Sequence, residues 1–200
     1  GAGTGGNGKS SLSVASPVQF ALGDEDALIQ KTVRALARGS ITDRAAQLDR
    51  TGAFPSDSLR DLAALGMLGP TIPAEFGGAP ISKVAYNLML EELAWACAST
   101  SVTVAVHSSV AATPIVQWGT PEVKRRFLPK LASGEWIGCF ALTEPGAGSD
   151  VASLATTAVR EGDEYVLNGS KVFITNGSHA GSAIVAAKTD PKAGHKGISL

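Results

Sequence analysis

The spacing of apolar residues changes character once along this chain, close to Ser133, and that change limits the fold more than any other feature. Before it, apolar residues recur at helical spacing, as in Leu28, Ile29, Val33, Leu36 and Ala37. After it, Trp136–Thr143, Leu154–Arg160, Glu164–Leu167, Lys171–Thr175 and Ala183–Lys188 read as strands with a period of two. Helices gathered in one part and strands in the other specify an α+β chain with segregated halves, not alternating βαβ units. The expected organisation is a Gly/Ser-rich flexible tail over 1–23, an all-helical domain over 24–133 and an antiparallel β region over 134–200.

Local signals fill in the helical part. Asp24 and Glu25 favour the positive end of a first helix. Asp57 is expected to cap a short helix through Leu65 that Gly66 ends, and Ser82 to cap another whose Leu88, Leu93 and Trp95 form a buried stripe. A further helix carries Val102, Val104, Val106 and Val110, residues of modest helix propensity that tertiary burial must hold in place. Thr120-Pro121 reads as the N-cap and first residue of the next helix, which Pro129 interrupts or bends. In the β part, Asn168-Gly169 is a type I′ hairpin signal.

The chemistry concentrates in two short stretches. A strand through Phe140, Ala141 and Leu142 enters the turn Thr143, Glu144, Pro145, Gly146, Ala147, Gly148, Ser149. Gly146 and Gly148 are expected to take φ > 0 and expose neighbouring amides as a nest, offering donors to a polar ring edge or a phosphate. On residues alone the turn reads equally as an ordinary connection between strands. In the second stretch, period two puts Phe173 and Thr175 on one strand face. Glu144 and Asp150 could form a carboxylate pair; we expect them instead to orient the turn and cap nearby amides.

Thr143-Glu-Pro-Gly-Ala-Gly-Ser-Asp150 followed by Asn168-Gly-Ser-Lys-Val-Phe-Ile-Thr-Asn-Gly177 resembles the FAD-binding signature of the acyl-CoA dehydrogenases. Ile72-Pro-Ala-Glu-Phe-Gly-Gly78, Glu91-Glu-Leu-Ala94 and Phe127-Leu-Pro-Lys-Leu-Ala-Ser-Gly-Glu135 resemble that family too, in its order. The resemblance implies an N-terminal helical domain and an incomplete, barrel-like antiparallel middle domain. The chain then reads as a fragment that stops in a strand near Leu200, short of the C-terminal helical bundle. It implies a flavin along Phe140–Ser149, with Thr143 at the pyrimidine edge, Thr175 near N5, and Phe173 and Ile174 against the ring. The family usually has tryptophan where Phe173 stands. Ser149 is assigned to the CoA portion of the substrate. The implied reaction is α,β-dehydrogenation of an acyl-CoA to a trans-2-enoyl-CoA, with electron-transfer flavoprotein as acceptor and a homotetramer as the assembly. Fatty-acid and branched-chain amino-acid catabolism stay equally open, as do an O₂-using acyl-CoA oxidase or flavin monooxygenase of the same fold. The family's base is a glutamate of the C-terminal bundle, no position here matches it, and no catalytic residue is assigned.

Composition narrows the partners. An apolar fraction of 44% and a charged fraction of 18% describe a core-forming chain, and a formal net charge of −1 gives nucleic acid no basic footprint. No stretch is apolar enough to be read as a membrane span, so a cytoplasmic location is expected. Cys97 and Cys139 read as buried small apolar residues, and His107, His179 and His195 as structural residues without metal-ligand spacing. Gly3 to Ser10 fits the P-loop pattern G-x-x-x-x-G-K-[ST]. Lacking a preceding strand and a convincing helix after Lys9, it is read as tail sequence and not as a nucleotide site.

Overall fold

A computed structural model describes residues 21–200, so the P-loop-like run and most of the expected tail lie outside the described residues. Helix α1 (Asp24–Leu36) carries three acidic residues in its first turn and Arg34 in its last, matching the helix dipole at both ends. It packs on α4 (Lys83–Ala96) through Val33, Met89 and Leu93, all fully buried. Glu92 also lies on the inner face of α4. Arg34 Nη2 and Nε reach its Oε1 at 2.6 and 2.9 Å, and this pairing holds the carboxyl below its ordinary range. A π-helical stretch, Ala37–Ile41, kinks at Gly39 and leads into α2 (Thr42–Thr51), closed by left-handed Gly52.

Two expectations in this part need correction. Helix α3 (Ser56–Ala64) starts two residues earlier than expected, with Pro55 and not Asp57 at the cap position, because the Pro55 carbonyl already takes the Leu59 amide at 3.0 Å. Asp57 therefore sits inside the first turn, paired with Arg60 at 2.9 Å, and is not the cap. Gly66 follows the helix at φ 71°, as expected. Trp95 is 59% exposed, with the Arg38 guanidinium 4.0 Å from its ring centroid. The buried stripe of α4 is set by Ala85, Met89 and Leu93 at four-residue spacing, and Trp95 lies roughly 200° round the helix from Leu93. Ser82 does cap α4, its Oγ accepting the Ala85 amide at 2.9 Å.

Helix α5 (Ala98–Val106) runs through a π-helical stretch, His107–Ala112, into α6 (Thr113–Trp118). Val104 is buried, whereas Val102 is half exposed. Thr120 caps α7 (Pro121–Ser133), which passes through Pro129 without stopping and ends at left-handed Gly134.

The β part begins where the period changes. Strand β1 (Ile137–Ala141) pairs in parallel with β4 (Ala180–Val185). A second sheet has the order β3-β2-β5-β6, made from β2 (Thr157–Glu161), β3 (Glu164–Asn168), β5 (Ala187–Lys188) and β6 (Ile198–Ser199). The β2–β3 and β5–β6 pairings are antiparallel and β2–β5 is parallel, giving an open, incomplete barrel-like region after the helices. The run expected as one strand from Ala183 to Lys188 breaks at fully buried Ala186, whose N–H donates to Ala141 O at 3.0 Å. One stretch of chain thereby serves both sheets.

Two β expectations fail. Lys171–Thr175 is not a strand; Phe173 and Asn176 stand at positive φ, 57° and 68°. The hairpin reversal falls at Gly162 (φ 62°), not at Asn168-Gly169. Gly169 instead lies hard against Thr156, where an added Cβ would come 2.3 Å from Oγ1, and no strand follows it over 170–175.

Candidate functional site

The end of β1 feeds the turn. Glu144 and Ala147 exchange two backbone bonds, Glu144 N to Ala147 O at 2.9 Å and Ala147 N to Glu144 O at 3.2 Å, closing a tight reversal over Pro145 and Gly146. The turn's residues divide between two sides. Ala141, Glu144 and Ala147 are buried, and Leu142 packs on the cluster of Ala147, Leu154 and Ala186. Phe140 and Thr143 are half-buried, while Pro145, Gly146, Gly148 and Ser149 are exposed. Neither Gly146 nor Gly148 is left-handed, so the expected nest of alternating backbone does not form. What the glycines give is space: nothing lies within 4 Å of a Cβ built on either.

Glu144 is the anchor behind this turn. Its Oε2 accepts the Ala155 amide at 2.5 Å, and its Oε1 accepts the Thr156 amide at 3.0 Å and Lys171 Nζ at 2.8 Å. Burial alone would push the carboxyl up; the two amides and the ammonium outweigh it and hold the group at about 2. The carboxylate therefore orients the turn by capping amides, as expected, and is a poor proton acceptor. Asp150 accepts from Ser153 Oγ beside a short 3₁₀ turn, Val151–Ser153.

The second stretch lies along the first. Lys171 Nζ also donates to Leu142 O at 2.9 Å, and Val172 N donates to Thr143 O at 2.9 Å. Among the described residues, the Thr143 amide and hydroxyl donate to no protein acceptor. Beyond Val172 the chain loops outward: Phe173 is 93% exposed, Ile174 half-buried and Thr175 exposed. The strand alternation expected to put Phe173 and Thr175 on one face is therefore absent, and both are exposed on a loop. Buried Asn176 ties the loop down, its Nδ2 donating to Thr103 O at 3.1 Å and to Gly138 O at 3.0 Å.

Beside Thr175 opens a cavity of about 510 Å³, bounded by Phe54 and Pro55 on one side and by Ala98, Val102 and Thr103 of α5 on another. At its edge the His179 ring stacks on Phe54, centroids 4.1 Å apart and planes 5° from parallel. His107 is a structural residue. Its Nδ1 accepts the Gly138 amide at 3.0 Å, and its Nε2 lies 3.0 and 3.1 Å from Leu68 O and Leu131 O, which fixes one neutral tautomer. Cys139 and Cys97 are both free, and burial pushes the Cys139 thiol up. Among the described residues no helix is long and apolar enough to cross a membrane, and no group of three His, Cys, Asp or Glu is placed to hold a metal ion.

Sequence reasoning missed Lys171 and Asn176. Lysine in an otherwise apolar run was a signal that could have found the first. The Asn176-Gly177 pair, which favours αL backbone, could have found the second.

The sequence matches the acyl-CoA dehydrogenase N-terminal domain over residues 23–135 and the acyl-CoA dehydrogenase middle domain over residues 139–200. It is 41% identical over 182 residues to a short-chain specific acyl-CoA dehydrogenase of Clostridium acetobutylicum, covering 91% of this chain and 48% of that protein. Butyryl-CoA dehydrogenase from Megasphaera elsdenii superposes with a TM-score of 0.84 at 35% identity, covering 90% of this chain and 48% of the other. A chain from a structure described as the electron transferring flavoprotein of Acidaminococcus fermentans superposes at 0.87 with 36% identity over the same shares, 90% and 48%. The chain spans about half the length of the curated relatives it matches.

Proposed function

The chain belongs to the acyl-CoA dehydrogenase family of FAD-dependent oxidoreductases, and from that premise we propose that the intact protein converts a short-chain acyl-CoA to its trans-2-enoyl-CoA and hands the electrons to an electron-transfer flavoprotein. The short-chain reading draws on the relatives, a short-chain specific enzyme and a butyryl-CoA dehydrogenase, and the acceptor on the flavoprotein-associated structure. We further propose a cytoplasmic homotetramer, with the helical unit over 24–133 and the middle domain from 134 onward.

One observation carries the cofactor assignment to these residues. The free Thr143 donors, the open space over Gly146 and Gly148, and the bare Phe173 ring all border the junction of the two stretches. A planar ring with one polar edge suits that set: hydrogen-bond donors for the edge, an apolar ring for the face, and no side chain in the way. FAD bound there supplies a two-electron acceptor. Thr143 would hold the pyrimidine edge with its amide and hydroxyl. Because Glu144, Lys171 and Val172 fix the turn beforehand, those donors meet developing negative charge without reorganising. Phe173 excludes water from one ring face, Ile174 supports it from the half-buried side, and Thr175 offers a hydroxyl at the rim of the 510 Å³ cavity. We assign that cavity, with its apolar wall of Ala98 and Val102, to the acyl chain, and exposed Ser149 to the CoA portion.

The test is anaerobic mixing of the purified intact protein with butyryl-, isovaleryl- and octanoyl-CoA. Flavin bleaching fastest with butyryl-CoA is expected. A yellow protein bleached by none of them would overturn the reaction, and a colourless one that refuses FAD would overturn the cofactor assignment.

A further inference from the structure

Lys171 is a buried cation whose contacts go beyond its pairing with Glu144. Its side chain is 11% exposed, and it spends one donor on Leu142 O and another on Glu144. Balancing the Glu144 charge accounts for one of these contacts and leaves the other, the donor placed on Leu142 O, unexplained. The bond to Leu142 O is the informative one. Leu142 C=O and Thr143 N–H belong to one conjugated peptide unit, so a cation on the oxygen draws electron density toward it and strengthens the N–H as a donor. That N–H has no protein acceptor among the described residues. The next peptide is pinned by the same stretch of chain, through Val172 N on Thr143 O at 2.9 Å.

We infer that Lys171 is a positioning residue that fixes and polarises the Leu142–Thr143 peptide, strengthening the Thr143 N–H toward an anionic ring edge and so favouring reduced over oxidised flavin. The inference rests on the flavin reading above and adds a residue that acts without touching the cofactor. A lysine that only balanced Glu144 would affect folding and leave the flavin's redox preference alone.

The experiment measures the midpoint potential of FAD in the intact, FAD-loaded protein, together with the flavin carbonyl stretch by Raman spectroscopy. Lys171→Met is expected to cut the preference for reduced over oxidised FAD about tenfold, a shift of roughly 30 mV to more negative potential for a two-electron couple. The flavin carbonyl band should rise as the donor weakens. Glu144→Gln removes the carboxylate charge and retains the lysine, and its potential is measured as the reference for the double variant. Where Lys171→Met fails to fold, the pair E144Q/K171M, which removes both buried charges, is compared with E144Q alone and should show the same shift. A potential unmoved between those two proteins overturns the role of Lys171 while the flavin reading stands. Failure of the unaltered protein to bind FAD overturns both.

Discussion

Replacing Asn176 tests how the loop bearing Phe173 and Thr175 is held. The residue is buried at φ 68°, and its amide donates to carbonyls from two different elements, Thr103 of α5 and Gly138 of β1. Asn176→Ala loses both bonds, about 1 kcal/mol each, and leaves two carbonyls short of a donor. It also puts an ordinary L-residue in left-handed backbone, roughly 1 kcal/mol worse than asparagine. The expected cost is about 3 kcal/mol. Asn176→Gly loses the same bonds but tolerates the backbone, so it should cost about 2 kcal/mol. Urea unfolding of the intact protein compares the midpoints at constant slope. FAD affinity should fall in both variants, since Thr175 is adjacent. Equal losses for Ala and Gly would refute the backbone argument, and losses below about 0.5 kcal/mol for both would refute the anchoring role altogether.

Glu144→Gln should destabilise the protein by about 3 kcal/mol at neutral pH, the linkage value of a carboxyl held at about 2 against its ordinary 4.5. Because the folded value is depressed, that stabilisation is complete above pH 4.5 and lost as pH falls toward 2; a wild-type-minus-variant difference that stays flat down to pH 2 would refute it. Gly148→Ala should leave apoprotein stability within about 0.5 kcal/mol, since the backbone there is not left-handed and a Cβ meets nothing within 4 Å, yet weaken FAD binding by entering the proposed flavin space. Unchanged FAD affinity by fluorescence titration would move the flavin elsewhere. Thr175→Val should lower FAD affinity or potential without changing the unfolding midpoint, its side chain being exposed. A variant indistinguishable from wild type in both would remove the hydroxyl from the site.

What the sequence made legible follows the range of the interactions involved. The change from helices to strands at Ser133, the caps at Ser82 and Thr120 and the stop at Gly66 are local matters, and the residues that decide them sit within a few positions of one another. Glu144 as an amide-capping carboxylate could be read; its partners at 155, 156 and 171 could not, because only the fold brings them together. Lys171–Thr175 shows why a five-residue alternation is weak: Lys171 and Val172 do lie beside Leu142–Glu144, but Asn176 pulls the following residues down to α5 and breaks the extended course. The type I′ signal at Asn168-Gly169 was overridden by the close approach of Thr156. Gly146 and Gly148 were expected at positive φ and do not adopt it. What they leave at the turn is room, since nothing lies within 4 Å of a Cβ built on either.

Gly138 joins three parts of the molecule with no side chain of its own: His107 receives its amide, Asn176 donates to its carbonyl, and an added Cβ would stand 2.5 Å from that of Ala111. A single methyl at this point would act as a wedge, prising β1 from the π-helical stretch beneath it. Thr143 lies five residues further along the same run of chain, roughly 17 Å at strand rise. The displacement would therefore surface as loosened flavin retention far from the lesion, a cofactor defect whose origin is helix packing.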